Sequence, residues 1–417
     1  MKCRHCARAL DLVLADLGTS PPSNAYLLPA DLNGPEAWYP LRVLVCTYCW
    51  LVQTQDFAKA EQLFSPDYAY FSSFSSSWLA HARAYVTASI ARFNLGPGHR
   101  VVEVAANDGY LLQYVKEAGI ACLGVEPTAS TAAAARAKGI DVVERFFGET
   151  LARELLAQGH AADLMVANNV LAHVPDINDF LTGFKVLLKP SGTATFEFPH
   201  LLPLVQKGYF DTLYHEHFSY LSLTAMTAIF SANGLTVVDV EELGTHGGSL
   251  RLYARRTDAL AQAPGQAPGQ APTQRVADLL ETERLAGVTT PDFYVHLQAH
   301  AEQVAHALLK FLVEARQAGK RVVAYGAAAK GNTLLNFAGV RSHLLEYVVD
   351  LNPAKQGTYL PGSRIPVVDE CRLRADRPDY ILLLPWNLDR EVCQQLSYVK
   401  DWGGKIMAAL PQLRELS

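Results

Sequence analysis

Two C-x-x-C pairs near the start of the chain, Cys3/Cys6 and Cys46/Cys49, constrain its fold more than any other feature. About forty residues separate the pairs. Four thiolates brought together this way form the corners of a tetrahedron, the geometry that zinc prefers. Four sulfurs leave no open position on the ion, so such a zinc is structural. Pro21, Pro22, Pro29, Pro35 and Pro40 break any helix here, and the first 70 residues read as short strands and turns. Metal and a few apolar residues would have to hold this segment together.

The 417 residues exceed what one hydrophobic core accommodates, which predicts two or three domains. The net charge is −5 with no dense Lys/Arg stripe, so nucleic acid is not an expected partner. No apolar run is long enough to cross a bilayer. The zinc ligands begin at the N-terminus itself, which leaves no room for a signal peptide, and Cys122, Cys371 and Cys393 are isolated. The expectation is a cytoplasmic protein with reduced thiols and no obligate protein partner.

Beyond the cysteine segment, Ser75 to His99 reads as a helix, with Trp78, Ala82, Tyr85 and Ile90 near helical spacing. Strand and helix signals then alternate. Strands are expected at Arg100–Val104, Ala121–Val125, Asp141–Val143, Leu164–Asn168 and Thr193–Phe198, the pattern of a doubly wound parallel α/β sheet. Two strand-like segments around Gly244–Gly248 predict an antiparallel edge. The repeat QAPGQAPGQAPTQ at Gln262–Gln274 reads as an exposed loop or linker. Thr290 and Pro291 are expected to open a long helix, and RVVAYGAAAKGNTLLNF from Arg321 starts a second strand-turn-helix unit. Further strands are expected at Leu345–Val349 and Tyr380–Leu384.

The segment VVEVAANDGYLL, Val101–Leu112, is strand, turn and helix. Glu103, Asn107 and Gly109 mark a turn that a ligand can approach closely, and Glu126 stands at the tip of the next strand. An acid roughly twenty residues after the first turn can accept both ribose hydroxyls of a nucleoside. No G-x-G-x-x-G phosphate cradle is present, which favours S-adenosylmethionine (SAM) over NAD. Asn168 or Asn169 would line the cofactor mouth.

Tyr214, His215, Glu216 and His217 lie together in DTLYHEHFSYLS, after a strand of the sheet, where open α/β sheets place their ligands. An imidazole near neutral pKa can remove a proton next to a ketone, and a phenol or second imidazole can stabilise the enolate oxygen. His246, in THGGSLRLY, is a further imidazole beside two glycines. Tyr68 and Tyr70 lie where the cysteine segment joins the sheet domain and could reach over the cleft. Lys330, at the opening of a helix, can meet a phosphate through charge and helix N-terminal amides.

Taken together, the paired cysteines, VEVAANDGYLLQ, ANNVLAHVPD, EFPHL, FDTLYHEHFSYLSL, HGGSLR and YGAAAKGNTLLN resemble the SAM-dependent sugar C-methyltransferases that alkylate a 4-keto nucleotide sugar at C-3. The resemblance covers nearly the whole chain. It implies a zinc-binding domain over residues 1–72, a SAM-binding methyltransferase domain over 73–285 and a C-terminal Rossmann-like domain over 286–417. It implies that Tyr214, Glu216 and His217 line the reacting centre, with Tyr68 or Tyr70 reaching the sugar. Lys330 and Asn332, in YGAAAKGNT, would hold the nucleotide. His217 is expected to take the proton, with Tyr214 and His246 steadying the enolate. Methyltransferases of this class usually carry glycine where Ala105 stands, so the turn is expected slightly further from its ligand. An O- or N-methyltransferase of a small metabolite would need no enolate-stabilising cluster, and a non-catalytic zinc scaffold that binds a nucleotide would need no reacting segment.

Overall fold

The computed structural model describes residues 1–57, 63, 71–261 and 272–416. Tyr68 and Tyr70, and residues 262–271 of the Gln262–Gln274 repeat, lie outside the described residues.

Strands β1 (Leu12–Ser20), β2 (Tyr39–Val45) and β3 (Val52–Thr54) form an antiparallel sheet behind the first cysteine pair. Then β4 (Arg100–Val104), β5 (Ala121–Val125), β6 (Val142–Val143), β7 (Ala162–Asn168) and β8 (Leu188–Pro199) run parallel. Strand β9 (Ser219–Tyr220) leaves that sheet and pairs with β3, completing the N-terminal one. Strands β10 (Leu235–Leu243) and β11 (Ser249–Arg256) return as the antiparallel edge, in the order β10-β11-β8-β7-β4-β5-β6. The last domain repeats the winding. Strands β12 (Val322–Tyr325), β13 (Val348–Val349), β14 (Val367–Val368), β15 (Tyr380–Leu383) and β16 (Lys405–Ala408) are parallel, and β17 (Arg414–Leu416) is antiparallel, in the order β14-β13-β12-β15-β16-β17.

Local chemistry sets most of these boundaries. Strands β4 and β12 are near-continuous apolar runs because helices cover both faces of a parallel sheet. The helix Ser76–Phe93 starts where the Ser75 hydroxyl accepts from the Trp78 amide. It stops short of His99 because Asn94 takes a left-handed φ of 49°. Thr290 and Pro291 open only a short 3-10 turn, Pro291–Phe293, and the long helix begins at Leu297.

More than metal holds the N-terminal sheet. On β2, Leu41, Val43 and Val45 alternate into the core of the C-terminal domain, while Leu44 faces the core of the central sheet. The sheet is thus a wedge between the two wound domains. Among the described residues no helix is long and apolar enough to cross a membrane.

Candidate active site

A cavity of about 600 Å³ opens where the carboxyl ends of the central and C-terminal sheets meet. On the central side its floor is the turn after β4. Ala105, Asn107 and Gly109 take positive φ of 58°, 49° and 76°, a run of left-handed backbone that shapes a tight cup. Ala105 thus holds the conformation that suits a glycine. Gly109 does not line the cavity itself and is dictated by packing behind it, since a Cβ there would stand 2.4 Å from Ile140 Cδ1. The carboxylate of Glu126, at the tip of β5, accepts the Asn107 amide at 2.9 Å and the Thr128 amide at 2.9 Å. Two amides occupy part of its acceptor capacity, and the residue lines the cavity, where it can accept ribose hydroxyls. These features fit the nucleoside of SAM, which would lie against Asn107 and Glu126. Asn168 and Asn169 line the mouth. Glu103 is buried beneath the turn rather than on the cavity wall, and burial pushes its carboxyl well above the usual range.

The reacting segment is a turn and not a strand. The His217 amide donates to the Tyr214 carbonyl at 3.0 Å, which folds the ends of the four-residue stretch together. Tyr214 and His217 therefore meet, with ring centroids 3.9 Å apart, and both line the cavity. Nδ1 of His217 lies 3.0 Å from the Thr212 carbonyl, which can only accept, so Nδ1 carries the hydrogen. Nε2 is then the acceptor for the Tyr214 hydroxyl at 2.7 Å. Burial, with His173, Lys330 and His246 nearby, holds His217 well below the ordinary imidazole range.

His215 and His217 would share a face of a strand, but the turn sends them apart. His215 donates from Nε2 to the Pro40 carbonyl at 3.2 Å and packs on Tyr39, away from the cavity. Glu216 also points into the protein, where Oε1 accepts the backbone amide of Asn24 at 3.0 Å and its side-chain amide at 3.2 Å. Asn24, from the N-terminal domain, is the residue this carboxylate delivers to the cavity wall.

Two more histidines reach the cavity. Nδ1 of His173 donates to the Glu216 carbonyl at 2.7 Å, and burial lowers its pKa to about 4. His246 sits at φ 54°, receives the Asn169 side-chain amide on Nε2 at 3.2 Å, and is likewise lowered by burial to about 4. Its loop rests on a buried network in which Glu197 binds His81, Arg251 at 2.6 Å and the Thr245 hydroxyl at 3.3 Å.

The C-terminal domain supplies the remaining wall. Behind that wall and not on it, Asp350, at the tip of β13, accepts the Ala327 amide at 2.8 Å and the Asn352 amide at 2.8 Å. That repeats the arrangement of Glu126 at the tip of β5. Lys330 opens the helix Ala329–Phe337, donates to Asn387 at 2.7 Å and lies over the Trp386 ring. Lys330 and Lys355 both line the cavity. Asn332 does not; its side chain donates to the Ser23 carbonyl at 2.6 Å and ties two domains together.

The four cysteines converge outside the cavity. Their sulfurs all lie within 4.8 Å of one another, with Cys3–Cys49 at 3.6 Å and Cys6–Cys46 at 3.5 Å. A zinc tetrahedron with bonds of about 2.3 Å has edges of about 3.8 Å, so the set fits zinc. The two knuckles are copies: the amides of Ala7 and Trp50 donate to the carbonyls of Cys3 and Cys46, and both residues sit at φ 60°.

Three family models cover the chain in sequence. A zinc binding domain matches residues 3–64, a methyltransferase domain matches 78–240, and the C-methyltransferase C-terminal domain matches 244–411. The chain is 32% identical to C-methyltransferase NovU of Streptomyces niveus over 416 residues, 100% of this chain and 97% of that one. The chain belongs to the C-methyltransferase family. It is a SAM-dependent methyltransferase, and its acceptor atom is carbon. The O- and N-methyltransferase readings and the non-catalytic scaffold fall away. Solved structures with partial likeness include the magnesium protoporphyrin IX methyltransferase ChlM of Synechocystis PCC 6803 with bound SAM (16% identical, 43% of this chain and 79% of that one, TM-score 0.33). The CcbJ methyltransferase of Streptomyces caelestis is 13% identical over 42% of this chain and 88% of that one, with a TM-score of 0.33.

For a C-methyltransferase, Tyr214, His217, His246, Asn107, Glu126, Asn168 and Lys330 line one cavity. Sequence reasoning missed His173 and Asn24. His173 was within reach, because its HVPD stretch begins only four residues after Asn169. Nothing around Asn24 signals a cavity residue, since its place depends on Glu216 from another domain.

Proposed function

We propose that this C-methyltransferase alkylates a 4-keto nucleotide-activated deoxysugar at C-3 through an enolate. The observation that carries the reading is the Tyr214–His217 pair, 2.7 Å apart, in the cavity that Glu126 also lines. A hydrogen on carbon is removable at useful rates only next to an electron sink such as a ketone, and a positioned neutral imidazole is the suited acceptor. In this reading the Tyr214 hydroxyl passes its hydrogen to Nε2 of His217 as it takes the one on C-3. Thr212 holds the imidazole for that exchange, and Asn169 orients His246 toward the developing oxyanion. Bound SAM supplies the methyl group.

Support for a nucleotide on the sugar comes from the C-terminal domain. Asp350 repeats the geometry by which Glu126 is prepared for a ribose. Lys330 and the first turn of its helix offer a site for a diphosphate. We assign the zinc-binding, SAM-binding and nucleotide-binding roles to residues 1–72, 73–285 and 286–417 in turn, and place the enzyme in the cytoplasm, where four thiolates stay reduced. The test is exchange of the C-3 hydrogen of a 4-keto thymidine diphosphate deoxysugar in deuterated water, followed by location of the methyl group by NMR. Exchange and a C-3 methyl are expected with the wild type. His217→Asn should lower turnover by roughly 10²–10⁴-fold. A methyl on another carbon, or full activity of the variant, refutes the assignment.

A further inference from the structure

Arg4 and His5 are the two residues between Cys3 and Cys6, so the metal site closes the loop that carries them. The side chain of Arg4 is only 4% exposed. Its Nη1 donates to the Pro175 carbonyl at 2.7 Å, and its Nη2 donates to the Thr54 carbonyl at 3.1 Å and to Asp56 at 2.8 Å. The guanidinium also lies 5.3 Å from the ring centre of Phe218. Beside it, His5 donates to the Asn178 side chain at 2.8 Å.

Both carbonyls lead to the reacting end of the cavity. Pro175 lines the cavity, two residues after His173. The Thr54 hydroxyl donates to the carbonyl of His217 at 2.9 Å, and its amide donates to the Phe218 carbonyl at 3.2 Å. His173 in turn donates to the Glu216 carbonyl. The contacts form a closed ring: knuckle, Arg4, Pro175, His173, Glu216, His217, Thr54 and back to Arg4. A planar fork can hold two carbonyls on separate segments at a fixed distance, whereas a lysine ammonium reaches them only as a point charge.

We propose that Arg4 is a positioning residue for methyl transfer. Held in the metal-closed knuckle, it fixes the His173–Pro175 wall against Thr54, at the end of β3, and the turn it binds, and so sets where the His217 imidazole stands. This rests on reading His217 as the proton acceptor.

The test uses the full chain with its zinc content measured, as Arg4→Gln, Arg4→Lys and Thr54→Val. Hydrogen–deuterium exchange by mass spectrometry reads residues 173–178 and 214–220, with 101–106 as the control. For Arg4→Gln with one zinc per chain, exchange should rise on the order of tenfold in both segments and stay level in the control. SAM affinity should hold within about twofold. Turnover of a 4-keto thymidine diphosphate deoxysugar should fall on the order of 10–100-fold in kcat, with part of the loss recovered in Arg4→Lys. Thr54→Val, which removes the hydroxyl that donates to His217 and leaves every sulfur contact in place, should loosen 214–220 alone. Unchanged exchange in both segments overturns the proposal, as does loosening spread over the whole chain. If Arg4→Gln loses its zinc, Thr54→Val decides: level exchange at 214–220 rejects the linkage. His217→Asn run in parallel separates the two claims, since normal turnover in that variant refutes the acceptor role and leaves the exchange result standing on its own.

Discussion

A buried, neutral histidine with its tautomer set by a backbone carbonyl has a definite pH signature. His217 is competent to accept a proton only while unprotonated, and its pKa is held below the ordinary value of about 6.5. As pH falls, activity is lost only on passing that lowered pKa. The acid limb of kcat/KM should therefore lie well below pH 6.5, and a midpoint at or above that value would show that His217 is not the titrating group. Glu126 offers a second residue-level test. Alanine there removes the ribose acceptor and also abandons the amides of Asn107 and Thr128, so SAM should bind about 1.5–3 kcal/mol more weakly by calorimetry. Glutamine retains one acceptor oxygen and should fall between. Equal affinity for all three proteins would place the ribose elsewhere. At this scale the sequence was informative where function needs residues adjacent in the chain, as in Tyr214–His217. It was misleading where adjacency implies a shared role. His215 and Glu216 stand inside the same motif, yet one anchors Pro40 and the other Asn24.

Elements were legible where apolar runs and caps are strong. Strands β4 and β5 form over the residues that their patterns predict, and the hairpin around Gly244–Gly248 is the antiparallel edge. Short strands such as β9 carry no such signal, because two residues have no periodicity. The junction of elements at Gly247 is equally invisible in sequence. It takes φ 89°, and an added Cβ would lie 2.8 Å from the Trp386 ring, which itself donates to Asp211 at 2.7 Å and stacks near Tyr209. Gly247→Ala combines backbone strain with a clash between the His246 loop and the C-terminal domain. It should cost about 1–3 kcal/mol, seen as a lowered thermal midpoint. A midpoint equal to that of the wild type would mean that the two loops part easily.

For the molecule as a whole, the sequence predicted two wound α/β domains behind a cysteine-rich segment, and that is the architecture. It could not show that the segment is wedged between them, because β2 buries opposite faces in two different cores. Purified protein should carry one zinc per chain with four sulfur neighbours at about 2.3 Å by X-ray absorption. Removing the metal should lower the thermal midpoint, since the cluster sits inside the wedge. Folded protein free of zinc and never exposed to chelator would contradict the assignment.

Strand β9 is lent by the reacting segment to the N-terminal sheet, starting two residues after His217. A fragment ending near residue 57 would lack it, and the edge of β3 would stand open to any passing chain. The cysteine segment is consequently not a portable cassette. Whoever wishes to shorten, transplant or shuffle this enzyme must carry both stretches together.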